Sequence, residues 1–253
     1  MTERAKKLLW LYYKQSRKIR RVSGLPPLTF KAKKAGTLKN YRIYGNTVNG
    51  ENVGDRTANL IQGSIKNANI GNNGKINTSN EFILVYAPVV TGESYTISNN
   101  NGTNVYAFYN VVPSTETETS YDNNRQIFST STITVVPPTT GYIAVRLANT
   151  AQDIMINPGS TAVPYEPVGY RVPVTVNDVT TDLYLPEPIK MVGDEAEYID
   201  YAEQKMHRIG ADDIDVTLPA LPVLPGTNTL TVGTEVQPSG VEIKGRIKAA
   251  GGD

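Results

Sequence analysis

The sequence predicts a mainly β protein: an N-terminal α-helix, then a jelly-roll-like β-sandwich, then a second small β region. Three observations predict it. Tyrosine is over-used, with 15 Tyr against 4 Phe and 1 Trp, and Tyr suits strands because its ring packs while its hydroxyl stays hydrogen-bonded. From Glu81 to Asn157, strand-sized stretches recur about every ten residues between Asn-, Gly- and Pro-rich turns, the spacing of a sandwich or jelly roll. Thr2 to Arg21 contains neither Gly nor Pro and is rich in Lys, Leu, Arg and Ala, which favour helix.

Within that helix Leu8, Leu9, Tyr12, Tyr13, Ser16 and Ile19 make one mostly apolar stripe at i, i+3, i+4 spacing. Thr2 is the N-cap, and Ser23, Gly24, Pro26 and Pro27 stop the helix. An isolated helix of about 20 residues is marginal in water, so this one is expected to dock. Leu28 to Lys33 and Tyr41 to Tyr44 read as short strands, with turn chemistry at Gly45–Asn46 and Asn49–Gly50. Ile65 to Ile76 is dense in Asn and Gly and reads as turns between short strands. Glu81 to Ala87 is a nearly unbroken apolar run, expected where both strand faces are covered. Strands at Ser94 to Ser98, Val105 to Val112, Gln126 to Phe128, Thr132 to Val136 and Gly141 to Leu147 follow.

Asp153 to Asn157 alternates polar and apolar, then Pro158–Gly159 turns the chain, and Pro164 and Pro167 keep it out of a central ladder. Tyr170 to Val176 and Thr181 to Leu185 flank Asn177–Asp178 as a hairpin. Glu197 to Tyr201 and Lys205 to Ile209 bracket a second turn. Val216 to Pro225 alternates Leu and Pro, so it is extended, an arm expected to cross a neighbour. Thr227 to Val232 and Val241 to Ile247 are expected to pair with each other.

The run Ile154-Met-Ile-Asn-Pro-Gly-Ser-Thr-Ala-Val-Pro-Tyr-Glu-Pro167 resembles the closing signature of a carbohydrate-binding-type β-sandwich found in structural proteins of tailed bacteriophages. Leu38 to Thr47, Val53 to Leu60, Leu183 to Asp194, Glu197 to Tyr201 and Val216 to Pro225 resemble that family's flanking segments, in its order, over roughly residues 22 to 248. The family's Pro/Asp-rich insertion after Val48 is missing, with only Asn49 to Asn52 in its place. The resemblance implies a virion protein of tail, baseplate or fibre, made in the host cytoplasm. Its partners would be other virion proteins, as a homo-oligomer for which a trimer is common, and bacterial surface polysaccharide. The chain then divides into an anchor helix (1–21), a β lead-in (22–56), the sandwich (57–168) and a C-terminal β region with its Pro-rich arm (169–253). A head or neck decoration or connector that binds no ligand is the competing reading.

Net charge of +1 hides a partition. Residues 1–42 hold 13 of the 25 Lys and Arg but one acid, Glu3, whereas Asp178 to Asp215 holds 11 acids against Lys190, Lys205 and Arg208. Such asymmetry marks an end that seeks an acidic partner. Nucleic acid, a membrane surface and a neighbouring virion protein all fit, and the resemblance favours the last. Leu9, Trp10, Tyr12, Tyr13, Arg17, Lys18, Arg20 and Arg21 would form that assembly anchor. No apolar run reaches the roughly 20 residues that span a bilayer, and Leu8 to Tyr13 is too short for a secretory core.

Catalytic residues, metal ligands and cofactors are not expected. There is one His and no Cys, so triads and Cys-ligated zinc lack their parts. Two acids flanking a bond would suffice for a glycosidase, and Asp194, Glu195, Glu197 and Asp200 are dense enough for one. Acid runs normally stay solvated, so a glycan-cleaving enzyme ranks last. Sugar sites stack an aromatic ring on a pyranose and ring it with amides, acids and guanidinium. Tyr121, Asp122, Asn123, Asn124 and Arg125 supply that set on one loop, with Tyr106 nearby.

Overall fold

A computed structural model describes residues 27–48, 50–99, 104–116, 120–151 and 153–243. The helix expected at 1–21, with its anchor residues, lies outside the described residues. Among those described, every regular element is a strand. The chain divides into two compact units, Met1–Arg56 with Gly169–Asp253, and Thr57–Val168.

In the Thr57–Val168 unit a five-stranded antiparallel sheet runs in the order Gln126–Phe128, Asn104–Tyr109, Gly141–Ala148, Ile76–Val89, Gly63–Ile70. A three-stranded sheet is ordered Thr132–Val135, Tyr95–Ser98, Met155–Pro158. Period-two alternation sends Val85, Ala87, Ile143, Val145 and Phe108 into one core with Ile97, Val135 and Ile156 of the smaller sheet. Leu84, Ala144, Val105, Ala107 and Tyr109 point the other way and build a second core with Ala68, Ile70 and Ile76. The apolar Glu81 to Ala87 run is therefore covered on both faces.

The turns expected over Ile65 to Ile76 are instead one long hairpin of Gly63–Ile70 and Ile76–Val89. Ladder pairing overrides the low strand propensity of Asn and Gly here. The register slips between Lys66 and Ala68, with Asn67 at φ 55°, and such a bulge bends the strand it interrupts. Asn59, 2% exposed, ties the unit's ends together. Its Nδ2 donates to Ile154 O (2.9 Å) and Glu166 O (3.1 Å), while Oδ1 accepts from Ile61 N and Ile156 N. Glu166 Oε2 accepts from Ala58 N at 2.7 Å. The Tyr165–Glu166–Pro167 signature thus closes the unit through its glutamate.

In the other unit, Leu28–Ala32, Gly226–Val232, Tyr170–Val176 and Val179–Leu185 form one sheet, and Asp55–Arg56 also pairs with Tyr170–Val176. The chain leaves for the Thr57–Val168 unit and returns from it at these two paired strands. Asn177 (φ 49°) and Asp178 (φ 65°) supply the left-handed pair that a two-residue hairpin turn needs. A second sheet is ordered Ile214–Asp215, Lys205–His207, Tyr198–Asp200, Tyr41–Tyr44, Gly240–Ile243. Both sheets feed one core of Val172, Val174, Leu183, Ile43, Ile199 and Met206.

One expectation is overturned in this unit. Gly226–Val232 and Gly240–Ile243 do not pair with each other. The first joins Leu28–Ala32 and Tyr170–Val176, the second Tyr41–Tyr44. The Val216 to Pro225 segment lends part of its apolar side to its own unit. Val216 with Leu218, and Leu221 with Val223, each two positions apart, are buried in the core of their own unit, whereas Leu224 is 59% exposed.

Candidate functional site

Two places gather chemistry-bearing side chains, one in each unit. In the Thr57–Val168 unit, residues 120–124 are locked by hydrogen bonds. Ser120 is buried, and its Oγ accepts from Asn124 N at 2.9 Å while lying 2.6 Å from Asn124 O. Tyr121 N donates to Phe108 O at 2.7 Å, and Asp122 Oδ1 accepts from Asn124 N at 3.3 Å. Asn123 takes the left-handed conformation, φ 51°, which Asn tolerates better than most residues. The result presents Tyr121, 49% exposed, beside exposed Asp122, Asn123 and Asn124.

Arg125 does not simply join that row. Its Nη1 donates to Ile70 O at 2.7 Å, tying the loop to the long hairpin. Arg146 reaches the next residue along, with Nη1 on Asn69 Oδ1 at 3.1 Å, and lies over the Phe82 ring at 4.3 Å. Burial and the charge of Arg125 both pull the Arg146 guanidinium below its ordinary pKa. Among the described residues neither arginine is ion-paired with a carboxylate. Tyr106 sits apart from the exposed row. Its ring packs edge-on to Phe108 (5.6 Å) and tilted to Phe128 (6.0 Å). Burial first, then the Asp122 charge, raise its hydroxyl pKa.

In the other unit, the sheet face turned away from the core carries two rows across the strands. Glu242, Arg42, Asp200, Lys205 and Asp215 are successive register partners, so charge alternates along the row. Beside it run Tyr44, Tyr198 and His207. Tyr198 lies under the Arg42 guanidinium at 4.6 Å and stacks on His207 at 4.4 Å. Arg42 Nε bonds Asp200 Oδ2 at 2.5 Å, and Asp200 Oδ1 accepts from Ala202 N and Glu203 N. Tyr44 donates to Glu242 Oε2 at 2.7 Å. Burial and then that carboxylate push the Tyr44 hydroxyl up to about 12.

The acid run is therefore not uniformly solvated. Asp194 and Glu195 are exposed, but Glu197 is 1% and Asp200 4% exposed. Glu197 is neutralised by Lys190 Nζ at 3.3 Å and accepts from Lys190 N and Ile209 N. Buried carboxylates need such partners. Of the four acids put forward for the enzyme reading, Glu197 and Asp200 are thus bound into the fold by neighbours. Sequence reasoning missed the His207 face because its residues converge only through pairing between distant strands. The one local signal was Glu203 four residues before His207.

The chain matches no protein-family model, no curated protein and no solved structure.

Proposed function

We propose that the chain is a structural protein of a tailed-bacteriophage tail, baseplate or fibre whose Thr57–Val168 unit binds an acidic glycan on the host surface. The observation that carries the binding half is the loop after Ser120. Tyr121 stands half-exposed beside Asp122 and Asn123 on backbone fixed from within. Preorganised polar groups around one exposed ring suit a pyranose, and little ordering is left for the ligand to impose. Arg125 and Arg146, paired among the described residues with neutral acceptors, favour a ligand carrying carboxylate or phosphate.

The virion half rests on the ordered resemblance along residues 22 to 248. It includes the finer description of the unit's five- and three-stranded sheets as a jelly-roll-like carbohydrate-binding module. The basic segment 1–21 would anchor the chain to other virion proteins, within a homo-oligomer such as a trimer.

The purely structural reading has its own support. Val90, Val111, Val112 and Val136 are each 49–60% exposed, and their loops are laced together by Thr91 on Pro137 O and Thr139 on Asn110. An apolar end of this kind suits packing against another subunit.

Binding of the full chain to neutral and acidic host wall polymers separates the readings. Acidic polymer should bind, weaken as salt rises, and lose about tenfold or more in affinity in Tyr121→Ala, as an aromatic anchor does. No binding to any polymer leaves the structural reading. Binding that ignores Tyr121→Ala rejects this loop.

A further inference from the structure

The imidazole of His207 is held on three sides. Tyr198 stacks on its face with the ring planes 23° apart. Asp213 Oδ2 lies 2.9 Å from Nδ1, and a carboxylate only accepts, so the proton of the neutral ring sits on Nδ1. Nε2 is then a bare lone pair. It is buried and has no hydrogen-bond partner, yet it faces Glu203 Oε2 at 3.3 Å. In the neutral ring, two lone pairs at that separation repel unless a proton or a metal cation lies between them. Donor atoms of Asp200, Glu203 and His207 all lie within 4.8 Å of one another, a span that three ligands of a single ion occupy.

From this convergence we infer that Asp200, Glu203 and His207 bind one divalent cation of the zinc type. One imidazole nitrogen with two carboxylate oxygens suits Zn²⁺, which takes such ligands at about 2.0–2.2 Å and fills its fourth position with water. Mg²⁺ requires six ligands, nearly all oxygen, and is not suited. Asp213 is the positioning residue. A carboxylate on the remote ring nitrogen fixes the tautomer and raises the basicity of the ligating one. Asp200 is oriented by Arg42 and by two backbone N–H groups, three of the roughly four acceptor sites a carboxylate has. One site therefore remains for the metal.

Charge also favours a dication. Asp200, Glu203 and Asp213 face His207, and among the described residues the Arg42 guanidinium stands against them, its Nη2 4.0 Å from Glu203 Oε1. Lys205 and Asp215, paired in register, offset each other, and Glu242 beyond Arg42 adds a further negative charge. The guanidinium tempers affinity without reversing the sign of the field.

Titration of the tag-free full chain with ZnCl₂, followed by calorimetry and proton NMR, tests the site. His207 is the single histidine of the chain, so its ring C–H signals report the site unambiguously. Saturable uptake of one Zn²⁺ with movement of those signals is expected, and none of Mg²⁺. Affinity should fall about 10- to 100-fold in Asp213→Asn and at least as far in His207→Gln and Glu203→Gln. Glu203 is 52% exposed, so Glu203→Gln keeps the fold even where His207→Gln does not. Three outcomes overturn the inference: no saturable Zn²⁺ uptake by the folded protein, uptake that leaves the His207 signals unmoved, or unchanged affinity in folded Glu203→Gln.

Discussion

Asp200→Ala should destabilise its unit by about 2–3 kcal/mol, measured as a lowered denaturation midpoint at neutral pH. Asp200 is 4% exposed and the Arg42 side chain 19%, so the pair is largely removed from water. Deleting one partner of such a pair leaves the other charge uncompensated, which costs about 3–5 kcal/mol when burial is complete. Two further donors, Ala202 N and Glu203 N, lose their acceptor at the same time. Glu203→Gln is the contrast. That carboxylate is half-exposed, and rim pairs of this sort contribute about 0–1 kcal/mol.

Acid should close the gap between wild type and Asp200→Ala. Burial pushes the Asp200 carboxyl up, but the Arg42 hydrogen bond and charge and the two backbone N–H groups outweigh it, so the pKa is lowered. A lowered folded value means the unfolded chain takes up the proton first. The stabilisation is therefore complete above the unfolded carboxylate value near 4 and is lost as pH falls through the folded one. Denaturation midpoints at pH 7 and pH 3 should show the difference shrinking. A constant difference would mean that Asp200 acts through packing rather than charge.

Locally encoded parts of this architecture were legible. Asn177–Asp178 between two alternating runs announces a hairpin, and the both-faced run at Glu81 to Ala87 announces a strand between two cores. Partnership was not legible. Thr227 to Val232 and Val241 to Ile247 look like neighbours, yet the strands observed there, Gly226–Val232 and Gly240–Ile243, pair with strands about two hundred positions earlier, and no local period carries that information. The hairpin at Gly63–Ile70 was hidden for a different reason. Its Asn and Gly content reports a bulge and a bend, and propensity alone reads those as loop.

The loop at Tyr121 was legible as a cluster of residue types, but its support was not. Ser120 and Gly74 have no visible relation in sequence. The His207 face was still less legible. Alternation in Tyr198, Ile199 and Asp200 places Asp200 outward, which reads as solvated. The register then sets Arg42 directly opposite, 158 positions away, and makes the outward residue a buried one.

Gly74→Ala should unlock the candidate glycan loop without altering any residue on it. Gly74 sits at φ +72°, and an added Cβ would stand 1.9 Å from Ser120 Oγ and 2.4 Å from its Cβ. The left-handed backbone costs Ala about 1–2 kcal/mol, and overpacking adds about 1–3 kcal/mol more. Relief requires Ser120 to move, and Ser120 Oγ is what holds Asn124 at both its N–H and its carbonyl. Tyr109 resists a shift on the other side, since its buried hydroxyl donates to Gly74 O at 2.8 Å. Gly92→Ala is the matched control. It has the same backbone problem at φ +80° with nothing within 4 Å of the new atom, so it carries the conformational cost alone. Amide exchange at Tyr121 and Asn124 should accelerate strongly in Gly74→Ala and stay near wild type in Gly92→Ala. Equal exchange in the two variants would show that the hairpin tip does not support the loop. The preorganisation on which glycan recognition was argued would then have to come from the loop's own hydrogen bonds.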